Sequence, residues 1–229
     1  MSCEFLPKSV FDFLDLVKNN NNREWFAENK NTYLNELQHV ISFADNLLIK
    51  MQSHDLLETQ SGKACLHRIY KDTRFSKDKL PYKTNWSGSF KRATKEKRGG
   101  YYFHLEMGNS FLAGGFFNPN NEDLKRIRQD IEHNYEEWYS ILNSQDCTST
   151  FRELSGSKLT TSPKGFDKSH IAIELLRHKQ FILKHNFTNE EILDPNFSSI
   201  LNESFKKLRP FFDHMSEILT TDSNGISII

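Results

Sequence analysis

The stretch Tyr101-Tyr102-Phe103-His104-Leu105-Glu106-Met107-Gly108-Asn109-Ser110-Phe111-Leu112-Ala113-Gly114-Gly115-Phe116-Phe117 decides the fold. Its halves, 101–107 and 110–117, read as two strands joined through Gly108-Asn109, a two-residue turn whose glycine supplies the positive φ of a tight hairpin. Side chains alternate along a strand, so Tyr101, Phe103, Leu105 and Met107 share the face expected in the core, while Tyr102, His104 and Glu106 share the other. Gly114-Gly115 leaves the returning strand bare. That pattern marks a bulge or the close approach of a ligand or another backbone, and the bulge is the simpler expectation.

Working outward, Val10, Phe13, Leu14 and Val17 predict a helix over 9–18, ended by the four asparagines 19–22. Asn22 then caps a second helix reaching about Gln52, with its stripe at Phe26, Tyr33, Leu37, Val40, Ala44, Leu48 and Met51. After Gly62 the period shortens, predicting strands over 64–70 and 86–92. Beyond the hairpin, Pro119-Asn120 opens a helix carrying Leu124, Ile127 and Ile131, a short aromatic helix covers 135–142, and 143–168 reads as connecting chain. Ser169 caps a helix through Arg177, alternation at Phe181, Leu183, His185 and Phe187 predicts a strand, and Thr188 with Glu191 forms a capping box. A last helix spans 196–219 with a kink at Pro210. Together these predict an α+β fold: a central, mainly antiparallel sheet with the N- and C-terminal helices packed on one face. The expectation is one domain over 1–229, with a core at about 8–219 and a tail at 220–229.

Thirty Lys and Arg balance thirty Asp and Glu, which excludes a whole-molecule pull toward nucleic acid or an anionic membrane. The balance is uneven along the chain. Between Lys63 and Arg98 stand twelve Lys and Arg against three acids, Asp72, Asp78 and Glu96; this concentration of positive charge points to an anionic partner. Three widely spaced cysteines without a Cys-x-x-Cys fit reduced thiols of a cytoplasmic protein. No signal-peptide pattern or membrane-length apolar run occurs, so the expectation is a mature chain without membrane association.

On a strand, Arg68, Tyr70 and Asp72 share a face, and the following loop brings Arg74, Lys77, Lys79 and Lys83 around the strand end. Arginine offers a planar fork for phosphate or carboxylate, lysine a mobile point charge, and tyrosine a hydroxyl or stacking face. The plainer reading is a solvated basic loop whose aspartates pair with its own lysines at little gain. His104 and Glu106, two apart on one strand face, have the relation of a base and its orienting carboxylate or of two metal ligands, with Asp72 or Asp78 completing either set. The plainer reading here is an ordinary half-wet sheet face. A Gly-x-Gly-x-x-Gly, a P-loop, a Gly-x-Ser-x-Gly elbow and a His-Glu-x-x-His helix are all missing. His104-x-Glu106 lacks the Pro-Cys-x-x-Cys of a zinc deaminase.

Four blocks in order, Asn21-Asn22-Arg23-Glu24-Trp25-Phe26, the run from Arg68 to Thr84, Gly100 to Glu106, and Pro163-Lys164-Gly165-Phe166-Asp167 with Ile173-Glu174-Leu175-Leu176, resemble the domain of unknown function 2461. The resemblance implies a single-domain, mainly bacterial cytoplasmic protein and brings no established activity. It singles out the same positions that charge and strand parity do. Arg68, Tyr70, Arg74, Lys77, Asp78, Lys79, Tyr82 and Lys83 are the ligand-binding candidates, and His104, Glu106 and Asp72 the catalytic ones. Three functions follow as alternatives: a pocket for a phosphorylated or otherwise anionic small molecule, with phosphate-ester hydrolysis or transfer as the first reaction to test; a module gripping nucleic-acid backbone, with RNA bases stacked on Tyr70, Tyr82 or Trp86; or a structural, partner-binding domain. No cofactor is indicated, and the spacing of Asp72, Asp78 and Glu106 gives a metal no support.

Overall fold

The structure, a computed structural model, describes residues 5–74, 77–222 and 224–229. Cys3 and the Phe75-Ser76 step of the basic stretch lie outside the described residues. In chain order the elements are α1 (Lys8–Asn19), α2 (Arg23–Glu28), α3 (Lys30–Gln52), α4 (Gly62–Cys65), β1 (Trp86–Lys91), β2 (Gly100–Leu105), β3 (Ser110–Phe116), α5 (Asn121–His133), α6 (Tyr135–Leu142), α7 (Gln145–Phe151), β4 (Leu154–Ser155), α8 (Ile173–Leu176), β5 (Phe181–Phe187), α9 (Asn189–Ile192), α10 (Phe197–Lys206) and α11 (Arg209–Thr220). The strands form an antiparallel sheet in the order β1-β2-β3-β5-β4, so the fold is α+β.

Two compact units divide the chain, each assembled from three separate stretches. The first comprises the chain up to Phe90, Tyr102–Leu112 and Asn186–Glu203. In it, α1 turns Val10, Phe13 and Val17 inward, and the Asn22 side chain caps α2 by accepting from Trp25 N at 2.9 Å. Asn29 leaves helical geometry at ψ 13° and separates α2 from α3, where the sequence predicted one continuous helix. Phe43 of α3 stacks on Phe197 (5.8 Å, 9°) and meets Phe103 of β2 edge-on (6.3 Å, 81°). Trp86 anchors the start of β1 by donating its indole N–H to Val10 O at 3.1 Å.

The segment expected as a strand over 64–70 begins instead as helix. Ser61 Oγ accepts from Ala64 N and starts α4. From Leu66 onward the chain is extended and pairs antiparallel with 81–88 through isolated bridges, Leu66 to Gly88 and Tyr70 to Tyr82. Three backbone bonds hold it: His67 N to Ser87 O (2.8 Å), Lys83 N to Ile69 O (2.8 Å) and Lys71 N to Pro81 O (2.9 Å). Pro81 accepts but has no N–H to return, which keeps this pairing from becoming a regular ladder. The hairpin turn also differs by one residue. Asn109 N donates to Glu106 O at 3.0 Å, so Met107 and Gly108 are its central pair, with Gly108 at φ +77°.

The second unit comprises Lys91–Tyr101, Ala113–His185 and Ser204–Ile229. Here Tyr101 of β2 meets Phe205 and Phe212 edge-on at 5.1 and 4.9 Å. Arg92, buried to 1% exposure, donates to Asp213 (2.5 Å), Arg98 O (3.1 Å) and Ser216 Oγ (3.3 Å). Within 143–168, expected as connecting chain, α7 is started by Ser144 and β4 pairs with β5. Ser169 caps no helix: its N–H and hydroxyl both turn back to Asp167, and α8 begins only at Ile173. Pro210 occupies the first turn of α11, the position where its missing N–H costs nothing, so the predicted kinked helix is two helices.

Gly115 sits at φ +143°, where a Cβ would lie 2.0 Å from Phe181 O and 2.9 Å from Ile182 Cα; a neighbouring backbone occupies the space. Gly115→Ala is therefore expected to cost about 3 kcal/mol or more by urea denaturation. Gly108→Ala, with nothing within 4 Å, costs only the left-handed backbone penalty, roughly 1–2 kcal/mol. Equal losses at the two positions would contradict the steric account.

Candidate functional site

The polar face of β2 lies within the first unit from Tyr102 onward. Its far end is pinned by the turn: Glu106 N donates to Ser110 Oγ (2.9 Å), Ser110 Oγ donates to Glu106 O (2.8 Å), and Gly108 N donates to Asn189 Oδ1 (2.6 Å). The Glu106 carboxylate accepts from Asn109 Nδ2 (2.9 Å), Thr84 Oγ1 (3.1 Å) and His104 Nε2 (3.1 Å). Burial pushes this carboxyl upward, but the three hydrogen bonds outweigh it and hold Glu106 below the usual glutamate value. His104 stacks over Phe111 at 4.8 Å and 11°, and its Nδ1 lies 3.3 Å from the Tyr102 hydroxyl. Burial raises the Tyr102 phenol, opposed by a hydrogen bond from Ser87.

Pairing of 66–71 with 81–88 brings two further groups to this face. The His67 ring lies 5.8 Å from that of Tyr102, with Ser87 Oγ 3.4 Å from Nδ1 and Ser89 Oγ 3.0 Å from Nε2. Burial and then the Lys83 charge lower the His67 pKa. Lys83, half-buried, is itself lowered by burial and then by Arg68. Among the described residues neither Arg68 nor Lys83 makes an ion pair with a carboxylate. Arg68 acts on Asp72 only through space, the smallest influence on that acid.

The remaining predicted residues are placed elsewhere. Asp72 accepts from Arg74 N (3.1 Å), Nε (3.0 Å) and Nη2 (2.6 Å), which holds its carboxyl low; its partner is Arg74, and the groups flanking the His104 ring are Glu106 and Tyr102. Asp78 accepts from Lys71 Nζ (2.7 Å) and Leu80 N (2.9 Å), and Lys79 Nζ donates to Thr73 O at 2.9 Å. Lys77 is exposed beside them. Most charge of the 72–79 loop is thus satisfied within the loop, as the plainer reading of that stretch describes. Tyr82 is core: it is 5% exposed and stacks on Phe26 at 3.9 Å and 13°. Tyr70 is half-exposed and touches both of those rings.

His67, Tyr102 and Thr84 stand at the site without having been candidates from the sequence. Tyr102 shares strand parity with His104 and was within reach of that argument; His67 and Thr84 arrive through a pairing that carries no periodic signal. Among the described residues no group of three His, Cys, Asp or Glu is arranged to hold a metal ion. Burial pushes the Cys65 thiol up to about 12 and the Cys147 thiol up to about 11, so neither is a nucleophile at neutral pH. No helix among the described residues is long and apolar enough to cross a membrane. The family model described as "Conserved hypothetical protein (DUF2461)" matches residues 9–214. No curated protein and no solved structure matches the chain significantly.

A carboxyl whose folded pKa is depressed contributes stability above its unfolded value, about 4.3, and loses it as pH falls through the folded value. Glu106→Gln is expected to be about 1–2 kcal/mol less stable than the parent at pH 7. That gap should close below about pH 4 in urea titrations; a gap constant with pH would show the carboxylate charge to be irrelevant. Arg74→Ala, in the exposed loop, should leave the melting temperature unchanged.

Proposed function

The chain belongs to the family of domain of unknown function 2461, a membership that brings no activity with it, and we propose from its site chemistry that it binds a phosphorylated or otherwise anionic small molecule. The observation that carries this reading is the Arg68–Lys83 pair. Burial and then the Arg68 charge lower the Lys83 pKa, and neither cation is ion-paired with a carboxylate among the described residues. Such an arrangement costs folding free energy, and an anion set between the two groups would relieve it. A guanidinium fork and an ammonium suit the oxygens of a phosphate, and His67, on which Lys83 acts, connects them to Tyr102 of the polar face.

Phosphate-ester hydrolysis or transfer is the first reaction to test. His104 has both ring nitrogens engaged, by Glu106 and Tyr102, so proton exchange with a substrate would pass through the tyrosine hydroxyl. Arg74 and Lys79 serve their own loop, which favours a local anion site over a nucleic-acid groove. Buried thiols at Cys65 and Cys147 suit a reducing, cytoplasmic setting.

Calorimetric titration with inorganic phosphate and phenyl phosphate tests the reading. Arg68→Ala and Lys83→Ala should each weaken binding about tenfold or more, the double variant should abolish it, and Arg74→Ala with Lys79→Ala should leave it intact. Affinity should fall with salt by the equivalent of about one or two counterions. Unchanged affinity in the double variant overturns the assignment, and a steep salt slope with single-stranded RNA replaces it with the nucleic-acid reading.

A further inference from the structure

Five hydrogen bonds link residues of β1, β2 and the 66–71 segment into a row across the polar face. Ser89 Oγ lies 3.0 Å from His67 Nε2, Ser87 Oγ 3.4 Å from His67 Nδ1, Ser87 bonds Tyr102, the Tyr102 hydroxyl lies 3.3 Å from His104 Nδ1, and His104 Nε2 lies 3.1 Å from Glu106 Oε2. The direction of every link follows from the last. An ionised carboxylate can only accept, so His104 Nε2 donates and, in the neutral ring, its Nδ1 accepts. Tyr102 therefore donates to His104, and its oxygen accepts from Ser87. With its proton committed to Tyr102, Ser87 accepts from His67 Nδ1–H, and the lone pair of His67 Nε2 accepts from Ser89 Oγ.

We infer that this row is a proton relay, closed at one end by Glu106, which makes Nε2 of exposed His67, acting through the Ser89 hydroxyl it accepts from, the base for a substrate held at Lys83 and Arg68. The sequence-named His104 becomes an interior link, and His67 the acid–base group at the surface. Lys83 is the charge acting on His67 and Arg68 the charge acting on Lys83, Tyr102 faces the His67 ring from β2, and Ser87 and Ser89 face it from β1. Burial and then the Lys83 charge lower the His67 pKa, which favours the neutral ring a base requires. A proton taken at Nε2 is matched by displacement of Nδ1–H toward Ser87, and so along the row to the carboxylate.

The inference rests on the anion reading for its substrate, a phosphate ester attacked by water. In that step the water oxygen forms the new bond to phosphorus while the ester oxygen leaves with the electron pair of the broken P–O bond. The water proton goes to Ser89 Oγ as the Ser89 proton passes to His67 Nε2, the departing oxygen takes a proton from bulk water, and His67 later returns its own to solvent by the same route.

Two-bond ¹H–¹⁵N correlation spectra of the ligand-free, ¹⁵N-histidine-labelled protein test the relay. Neutral His67 is expected as the Nδ1–H tautomer, the form that free histidine disfavours, and His104 as Nε2–H. Tyr102→Phe removes only the hydroxyl, and Ser87→Ala breaks the row one link earlier; each should return His67 to Nε2–H. An Nε2–H tautomer in the parent protein, or Nδ1–H retained in either variant, overturns the inference. Loss of phosphate binding at Arg68 and Lys83 would not alter these spectra, so the two readings fail separately.

Discussion

Asn21 holds both backbone groups of Tyr82: its Nδ2 donates to Tyr82 O and its Oδ1 accepts from Tyr82 N, each at 3.0 Å. The Tyr82 ring is fixed at the same point by stacking on Phe26. Such two-point capture of an extended chain by one side chain does what a neighbouring strand would do, and no regular strand flanks the chain there. Everything at the polar face downstream depends on this clamp. Lys83, Thr84, Ser87 and Ser89 follow Tyr82 within seven residues, and their backbone is bound on its other side to Ile69 and His67.

The clamp also explains why the positive charge separates into two kinds. Asp72, Arg74, Asp78 and Lys79 lie beyond the last backbone bond between the paired segments, from Lys71 to Pro81; Asp72 pairs with Arg74, Asp78 with Lys71, and Lys79 donates to Thr73 O. Arg68 and Lys83 lie inside the paired region, Arg68 exposed and Lys83 half-buried. Burial and then the Arg68 charge lower the Lys83 pKa, whereas Arg74 and Lys71 are paired with Asp72 and Asp78. Charge density in the sequence identified the region; it did not distinguish charges paired locally from those without a carboxylate partner among the described residues.

Legibility in the sequence followed periodicity. Helix α6, the Asn22 and Asn120 caps, the Thr188–Glu191 capping box and the alternation of β2 all rest on local patterns, and all are present as expected. Interruptions were harder to see. Asn29 breaks α2 from α3 through a backbone angle that leaves the apolar stripe intact, and the Leu208–Pro210 region separates α10 from α11 without disturbing spacing. At the site, His104 with Glu106 was readable from parity because both belong to one strand. His67 was hidden, since its approach to Tyr102 depends on irregular pairing across the loop; Gly115 was readable as unusual but not as a contact with the Phe181 backbone.

Soaking crystals of the protein in sodium tungstate, a tetrahedral dianion with a strong anomalous signal, tests most directly whether the Arg68 and Lys83 charges await an anion. The predicted result is one tungsten peak within hydrogen-bond reach of Lys83 Nζ and the Arg68 guanidinium, on the His67 side of the polar face. Tungsten confined to the 72–79 loop, or absent from the face at saturating concentration, would contradict it.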